Sequence, residues 1–329
     1  MKLFALLVGI NDYPMSPLSQ CVSDVKVMKT YLKSLSNHFE KIEIQTLTDK
    51  KASKKGIENG VSQFLAQATD EDIALFYYSG HGAHENADGR FPYEADGKLE
   101  CLVAHHTSSD DAGFLLANKE IQYLFSKLPQ NPHLISIFDC CHSGNIVRSI
   151  DETKEELTLK RLSNIFPARK AKEFLFAKEI PPKKFKTQTV EKLIPAKNSI
   201  HISACTSSQS SWENRKGGVF TRYLLTLLKA TNNHLTYQEI TRWAKVSLRN
   251  VTKTQQTPTI GVQGSGDLNP FSAWLNLPIN KASDNAEKLV MHTQKQGWQL
   301  LRGSVMGMKK GMEVTIPTWE EKSSECYHW

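Results

Sequence analysis

The chain has 329 residues, 40% of them hydrophobic and 23% charged, and a formal net charge of +7. That balance is ordinary for a globular protein with a sizeable core, and the length fits one large domain plus something small, or two domains. No apolar run approaches the roughly 20 residues of a membrane span, and six cysteines at irregular spacing do not suggest a disulfide framework.

The amino-terminal stretch Met1-Lys-Leu-Phe-Ala-Leu-Leu-Val-Gly9 is too short for a secretory leader. Asn11-Asp-Tyr-Pro14 stands where a small-residue cleavage site would fall. Leu3–Ile10 therefore reads as a first buried strand. Without an export signal the reducing cytosol is the expected compartment. Ser16–Ser36 has helical spacing, with Leu18, Cys21, Val22, Val25, Met28, Leu32 and Leu35 on one stripe. Ile42–Leu47 alternates as a half-buried strand does. Lys54–Ala68 is a second amphipathic helix, with Ile57, Val61, Phe64 and Leu65 facing inward.

Asp72–Tyr78 is a strand, Asn118–Leu128 a helix, His133–Phe138 a strand and Ser199–Ala204 another. Phe220–Ala230 and Thr236–Val251 are helices. Strands that alternate with helices predict an α/β fold: a mainly parallel sheet covered on both faces. The segment 146–197 breaks the rhythm. It carries about twice as many basic as acidic side chains, and it includes Pro181-Pro182 and few aromatics. It reads as a solvated loop rather than a nucleic-acid surface, with short helices expected at Glu155–Leu162 and Arg169–Phe176. After Leu277 the composition changes again. Gly303, Gly307 and Gly311 lie among short apolar runs, so 278–329 is expected to be a linker and a small β-rich module.

Two of the strands run into glycine-containing turns that carry reactive side chains. Leu75-Phe-Tyr-Tyr78 leads into Ser79-Gly-His-Gly82, and Leu134-Ile-Ser-Ile-Phe138 into Asp139-Cys-Cys-His-Ser-Gly144. In a parallel sheet both turns leave at the same edge, where α/β folds place their sites. A thiol needs a nearby base or cation to act as a nucleophile at neutral pH. A histidine from one strand and a cysteine from the other satisfy that need. In an extended segment residues i and i+2 share a face, so Asp139 and Cys141 point one way and Cys140 the other. His142, adjacent to Cys141, is aimed away from it.

The two boxes resemble the histidine and cysteine boxes of the caspase-like peptidases, family C14, and within them the metacaspases and bacterial orthocaspases. The resemblance extends to Phe4-Ala-Leu-Leu-Val-Gly-Ile-Asn11, Cys21-Val-Ser-Asp24, His201-Ile-Ser-Ala-Cys205, Gly218-Val-Phe-Thr221 and Gln256-Thr-Pro258, in order, over roughly residues 1–275. It implies a caspase-hemoglobinase fold over 1–277, divided into a large part (1–145), the basic insertion (146–197) and a small part (198–277). It implies Cys141 as nucleophile, His81 as base or proton donor, and the N–H groups of Gly82 and Cys141 as oxyanion donors. Asp24 and Asp139, with Cys21 and Ser79, then form an acidic S1 pocket that selects Arg or Lys at P1 by charge-assisted hydrogen bonds.

The expected activity is a Cys-His endopeptidase acting on protein or peptide substrates, self-processing in the basic insertion and serving in regulated proteolysis under stress or in defence. A regulatory partner could act through the carboxy-terminal module. No cofactor is required by this reading. Some relatives bind calcium, and Asp96, Asp110 and Asp111 fall near matching places with hard oxygen ligands, but Arg148 stands where a fourth acidic ligand is expected. Two other readings are a catalytically idle scaffold and a zinc protein using Cys140, Cys141, His142, His105 and His106. Intact catalytic and pocket residues oppose the first, and the absence of CxxC or HxxxH spacing opposes the second.

Overall fold

The structure, a computed structural model, describes residues 1–87, 97–107, 112–141, 157–207, 209–251, 256–279, 290–293, 297–300, 313–317 and 324–328. The chain divides into two compact units, Met1–Ile279 and Asn280–Trp329. In order, the first unit holds β1 (Lys2–Gly9), α1 (Cys21–Ser34), β2 (Lys41–Thr48), α2 (Lys54–Asn59), β3 (Ile73–Ser79), β4 (Gly82–Asn86), β5 (Lys98–Val103), β6 (Leu115–Ala117) and α3 (Asn118–Ser126). It continues with β7 (His133–Asp139), β8 (Thr158–Leu159), β9 (Arg161–Phe166), α4 (Val190–Leu193), β10 (Ser199–Ser203), β11 (Trp212–Asn214), β12 (Gly217–Gly218), α5 (Val219–Ala230), α6 (Tyr237–Val251) and β13 (Thr259–Gln263).

The central sheet runs β13-β10-β7-β3-β1-β2. Every pairing is parallel except β10 with β13. Strands of such a sheet are buried on both faces and read as continuous apolar runs, and all seven residues of β3 are buried. Alternate side chains of β1 divide between two cores. Phe4, Leu6 and Val8 join Phe76 and Leu134 under Ile57, Val61, Ile121 and Phe125. Leu3, Ala5 and Leu7 are buried on the other face, where α1 packs on β1 and α5 packs on α1. Gly9 permits that close approach: a Cβ there would stand 2.6 Å from the Cys21 carbonyl oxygen and from Val25.

The order β2-β1-β3 reverses the direction of strand addition, so a crevice opens beyond the carboxyl ends of β1 and β3. Two small sheets line it. One is β6-β5-β4-β9 and the other β12-β11-β8. The second unit contains two antiparallel hairpins, Val290–Thr293 with Gly297–Leu300 and Glu313–Pro317 with Ser324–His328. No helix among the described residues is long and apolar enough to cross a membrane.

Three sequence expectations are corrected. The first helix starts at Cys21, not Ser16, because Ser16 takes a left-handed φ of 54°. The helices expected at Glu155–Leu162 and Arg169–Phe176 do not form over their described residues. The first region holds β8 and the start of β9, and the second holds two short 3-10 turns, Ala171–Glu173 and Leu175–Lys178. Nor is the basic insertion a solvated loop over residues 157–197. Lys160, Arg161 and Arg169 are at most 5% exposed, and Phe174 and Phe176 lie in the core. The charges of Lys160 and Arg169 are matched by carboxylates from distant segments, a pairing that local composition does not reveal.

Candidate active site

The histidine turn leaves β3 and the cysteine turn leaves β7, and the two strands pair with Ser79 opposite Asp139. His81 is fully buried. Its backbone is fixed by two tyrosines. The Tyr13 hydroxyl accepts from the His81 N–H at 3.0 Å, and the Tyr78 hydroxyl donates to the His81 carbonyl at 2.7 Å. The ring lies 4.6 Å from the Tyr13 ring, centroid to centroid. Burial depresses its pKa to about 4, against a smaller opposing effect of the Ser16 carbonyl, so the imidazole is neutral at pH 7. Nε2 lies 2.6 Å from the Ser16 carbonyl oxygen. A neutral ring can only donate there, which leaves Nδ1 as the bare acceptor. Nδ1 has no hydrogen-bond partner. Ser16 thus orients the ring, and the left-handed turn that delays the start of the expected helix is what presents its carbonyl.

Cys141 follows β7 directly and is fully buried. Burial pushes its thiol up to about 12, against the Ser211 carbonyl contact and the nearby cations Arg161 and Lys160. Its Sγ lies 3.3 Å from the Lys160 carbonyl oxygen and 3.9 Å from that of Ser211. Asp139 and Cys141 both meet Ser211, whose hydroxyl donates to Asp139 at 2.7 Å. Cys140 packs in the core with Tyr78 and Ala83. Cys21, Cys101, Cys140, Cys141 and Cys205 form no disulfide with one another.

Lys160 brings the pieces together. Its side chain is fully buried, and Nζ lies 2.8 Å from Ser79 Oγ, 3.1 Å from Asp139 Oδ2 and 3.5 Å from Asp24 Oδ2. Its carbonyl oxygen accepts from the N–H groups of Gly82 and Cys141, each at 3.2 Å. Its N–H donates to the Ser211 carbonyl at 3.1 Å, and the preceding β8 pairs antiparallel with β11, Leu159 opposite Trp212. On the other side β9 begins at Arg161, opposite Gly82 on β4.

The floor of the pocket is built from five chain segments. Asp24, in the first turn of α1, accepts from Ser79 Oγ at 2.9 Å and from Gly218 N–H at 2.9 Å. Asp139 accepts from Thr221 Oγ1 at 2.6 Å. Gly218 forms one wall, where a Cβ would stand 2.4 Å from Asp139 Oδ2 and 2.5 Å from Asp24 Oδ2. Burial and the adjacent Asp139 raise the Asp24 pKa to about 6, against the pull of Lys160. Burial works against the Lys160 ammonium, but Asp139, Cys21 and Asp24 outweigh it and its pKa is raised. Lys160 therefore stays charged. Cys21 does not touch Lys160 by hydrogen bond; its Sγ donates to Glu213 Oε2 at 3.6 Å.

Of the seven residues singled out for catalysis and the pocket, five meet Lys160: Ser79, Asp24 and Asp139 at its ammonium, and Gly82 and Cys141 at its carbonyl. His81 meets Ser16, Tyr13 and Tyr78, and Cys21 meets Glu213. Sequence reasoning did not find Ser16, Ser211, Glu213, Gly218 and Thr221 as site residues. Gly218 and Thr221 sit in a motif that was visible; Ser16 and Glu213 carry no local signal. Glu213 is buried and accepts from the Ser19 and Gln20 N–H groups at 2.7 and 3.2 Å. It caps the start of α1 from across the crevice.

His142, Asp96, Asp110, Asp111 and Arg148 lie outside the described residues, so the calcium expectation has no geometry behind it. Among the described residues no group of three His, Cys, Asp or Glu side chains could hold a metal ion. His106, part of the zinc reading, is stacked on Phe114 at 3.6 Å.

Residues 2–265 match the caspase domain family, peptidase C14. Metacaspase-2 of Trypanosoma brucei brucei is 30% identical over 150 residues, 44% of this chain and 42% of that one. Metacaspase-9 of Arabidopsis thaliana is 32% identical over 178 residues, 51% of this chain and 50% of that one. The chain thus spans half or less of the length of these relatives. Among solved structures, protein GSU0716 from Geobacter sulfurreducens has the same fold, with a TM-score of 0.59 at 20% identity over 83% of this chain and 99% of that one. The caspase domain runs through both boxes and all five pocket segments, and the chain belongs to the peptidase C14 caspase family.

Proposed function

We propose that this chain is a cysteine endopeptidase that cleaves after lysine or arginine, and that its first substrate is its own Lys160–Arg161 bond. One observation supports the reading: Lys160 fills the acidic pocket with its carbonyl on two backbone donors, the position a P1 residue would take. Its ammonium meets Ser79, Asp139 and Asp24, and its carbonyl oxygen meets the two N–H donors beside Cys141.

The chemistry follows from these positions. The Cys141 thiol is protonated at rest, so its proton leaves as Sγ attacks the Lys160 carbonyl carbon. Neutral His81 accepts it at Nδ1, while Ser16 holds Nε2–H. Negative charge develops on an oxygen already bound by the Gly82 and Cys141 N–H groups, which need no rearrangement to stabilise it. Collapse breaks the C–N bond, His81 protonates the Arg161 nitrogen, and a thioester remains for water to hydrolyse. Selectivity for a cation follows from two desolvated carboxylates around one site.

The test uses purified wild type and Cys141→Ala. Intact-mass analysis should find wild-type fragments that meet at Lys160 and Arg161, and an uncut variant. Fluorophore should be released from Lys and Arg reporter peptides but not from Asp peptides, by wild type only. A preference for Asp at P1, or cleavage by the Cys141→Ala chain, would defeat the proposal.

A further inference from the structure

The segment that would leave after self-cleavage is fastened to the body by a buried charge cluster. Arg169, eight residues beyond the scissile bond, donates from Nε to Glu85 Oε2 at 3.0 Å and from its backbone N–H to Glu85 Oε1 at 2.6 Å. Its guanidinium also reaches Glu120 Oε2 and the Leu115 carbonyl, each at 2.9 Å, and lies 4.4 Å over the Phe174 ring. Glu85 and Glu120 are fully buried. Lys54 supplies the second cation, 2.7 Å from Glu120 Oε1. Two buried carboxylates are thus matched by two cations, one of them on the leaving segment. Withdrawing Arg169 would leave two carboxylates to one lysine, and losing one partner of a buried pair is strongly unfavourable. Glu85 lies on β4, the strand that starts with the oxyanion donor Gly82 and pairs with Arg161 and Phe166. The anchor and the reaction centre therefore share one strand.

Resting on the self-cleavage reading above, we infer that the chain also joins peptide bonds: the retained Arg161 amine attacks the Cys141 thioester and reseals Lys160–Arg161. The step balances without any further reagent. The amine nitrogen adds to the thioester carbonyl carbon, the C–S bond breaks, and the amine proton passes through His81 to the departing sulfur. The α-amine of a new terminus has an ordinary pKa of about 8, so a large share is neutral and nucleophilic at that pH. Tethering holds it at an effective concentration in the millimolar range or above, at the place from which it left. Net cleavage is then slower than acylation, because most thioesters return to the intact chain before water reaches them.

The test adds hydroxylamine at neutral pH to the full-length wild-type chain, with Cys141→Ala as control. Fragments are followed by intact mass. An external amine that captures the thioester should speed net cleavage on the order of tenfold, with the amino-terminal fragment ending in a Lys160 hydroxamate. Arg169→Met should raise net cleavage without hydroxylamine by a similar factor. A wild-type rate unchanged by hydroxylamine, whichever acid or hydroxamate end is found, overturns resealing, since acylation would then be the committed step. A chain that stays whole in both conditions overturns it too; Lys-reporter hydrolysis by that same chain tells whether the peptidase reading survives. An Arg169→Met chain that melts cooperatively yet cuts no faster than wild type refutes the anchor, and if that variant does not fold the hydroxylamine result alone decides.

Discussion

Lys160→Ala is the sharpest perturbation of the seated linker. The substitution removes an ammonium that contacts Ser79 at 2.8 Å, Asp139 at 3.1 Å and Asp24 at 3.5 Å, all fully buried. Breaking a buried pair by deleting one partner costs about 3–5 kcal/mol. At about 1.36 kcal/mol per tenfold, that is roughly two to three and a half orders of magnitude in the rate of cutting at this bond. The lower end applies toward acid pH, where Asp24, raised by burial and no longer pulled down by Lys160, takes up a proton and relieves part of the unpaired charge. Lys160→Arg keeps the charge and should still be cut after residue 160. The assay is a time course of intact mass for wild type, both variants and Cys141→Ala. Cutting of Lys160→Ala between residues 160 and 161 within tenfold of the wild-type rate would refute the pocket argument. So would wild-type cutting at Lys172 or Lys178 with the Lys160 bond intact.

The pocket also sets a pH dependence. Burial raises Asp24 to about 6, above its ordinary value near 3.9, so its protonated form is favoured in the fold, and that stabilising contribution is lost as pH rises through about 6. For substrate the sign reverses, because only ionised Asp24 pairs with the P1 cation. A reporter needs the pocket empty, without the lowering pull of Lys160, so the rising limb of kcat/KM on Lys reporters should lie above pH 6, and Asp24→Asn should flatten it in a pH–rate profile. His81, held near 4 by burial, should add no limb between pH 5 and 8. Cys140→Ala should keep most of its activity while Cys141→Ala loses all of it, as reporter kinetics on folded variants will tell. Glu213→Ala uncaps α1 and should lower stability by about 1–2 kcal/mol. It should raise KM for Lys reporters more than it lowers kcat, since the chemistry at Cys141 is not touched; an equal loss in both would count against a positioning role.

Much of the sheet was legible because buried parallel strands leave continuous apolar runs. Leu3–Ile10, Asp72–Tyr78 and His133–Phe138 each matched a strand within two residues. The strands β4, β5, β6 and β13 were not legible. β6 has three residues and β13 is largely exposed, β5 carries Lys98 and Glu100 among its apolar residues, and β4 carries the buried Glu85, whose partner Arg169 lies 84 residues away. Asp24 alone reads as a surface charge on a helix. Its burial follows only from α1 packing at Gly9 and from Gly218 arriving from the far end of the domain. Lys160 was one of many basic residues in its segment. Choosing it required the register of a two-residue strand on β11, and nothing local encodes that register.

The acidic pocket links these features through one physical cause. Two carboxylates at zero exposure are unfavourable unless a cation joins them, and the raised Asp24 pKa measures that tension even with Lys160 in place. On the proposed reading, any chain segment offering a lysine or arginine relieves it, and selectivity for a cation follows. The segment that does so with least entropic cost is one already tied to the same domain, and the insertion 157–197 is tied through β8 on β11, through β9 on β4 and through Arg169 on Glu85 and Glu120. Such a pocket is therefore filled first by its own chain, as Lys160 fills it here. The carbonyl that follows the seated lysine then falls on the donors built for the transition state. On the proposed reading, self-occupation and specificity are consequences of the same pair of aspartates, and a substitution that weakens one must weaken the other.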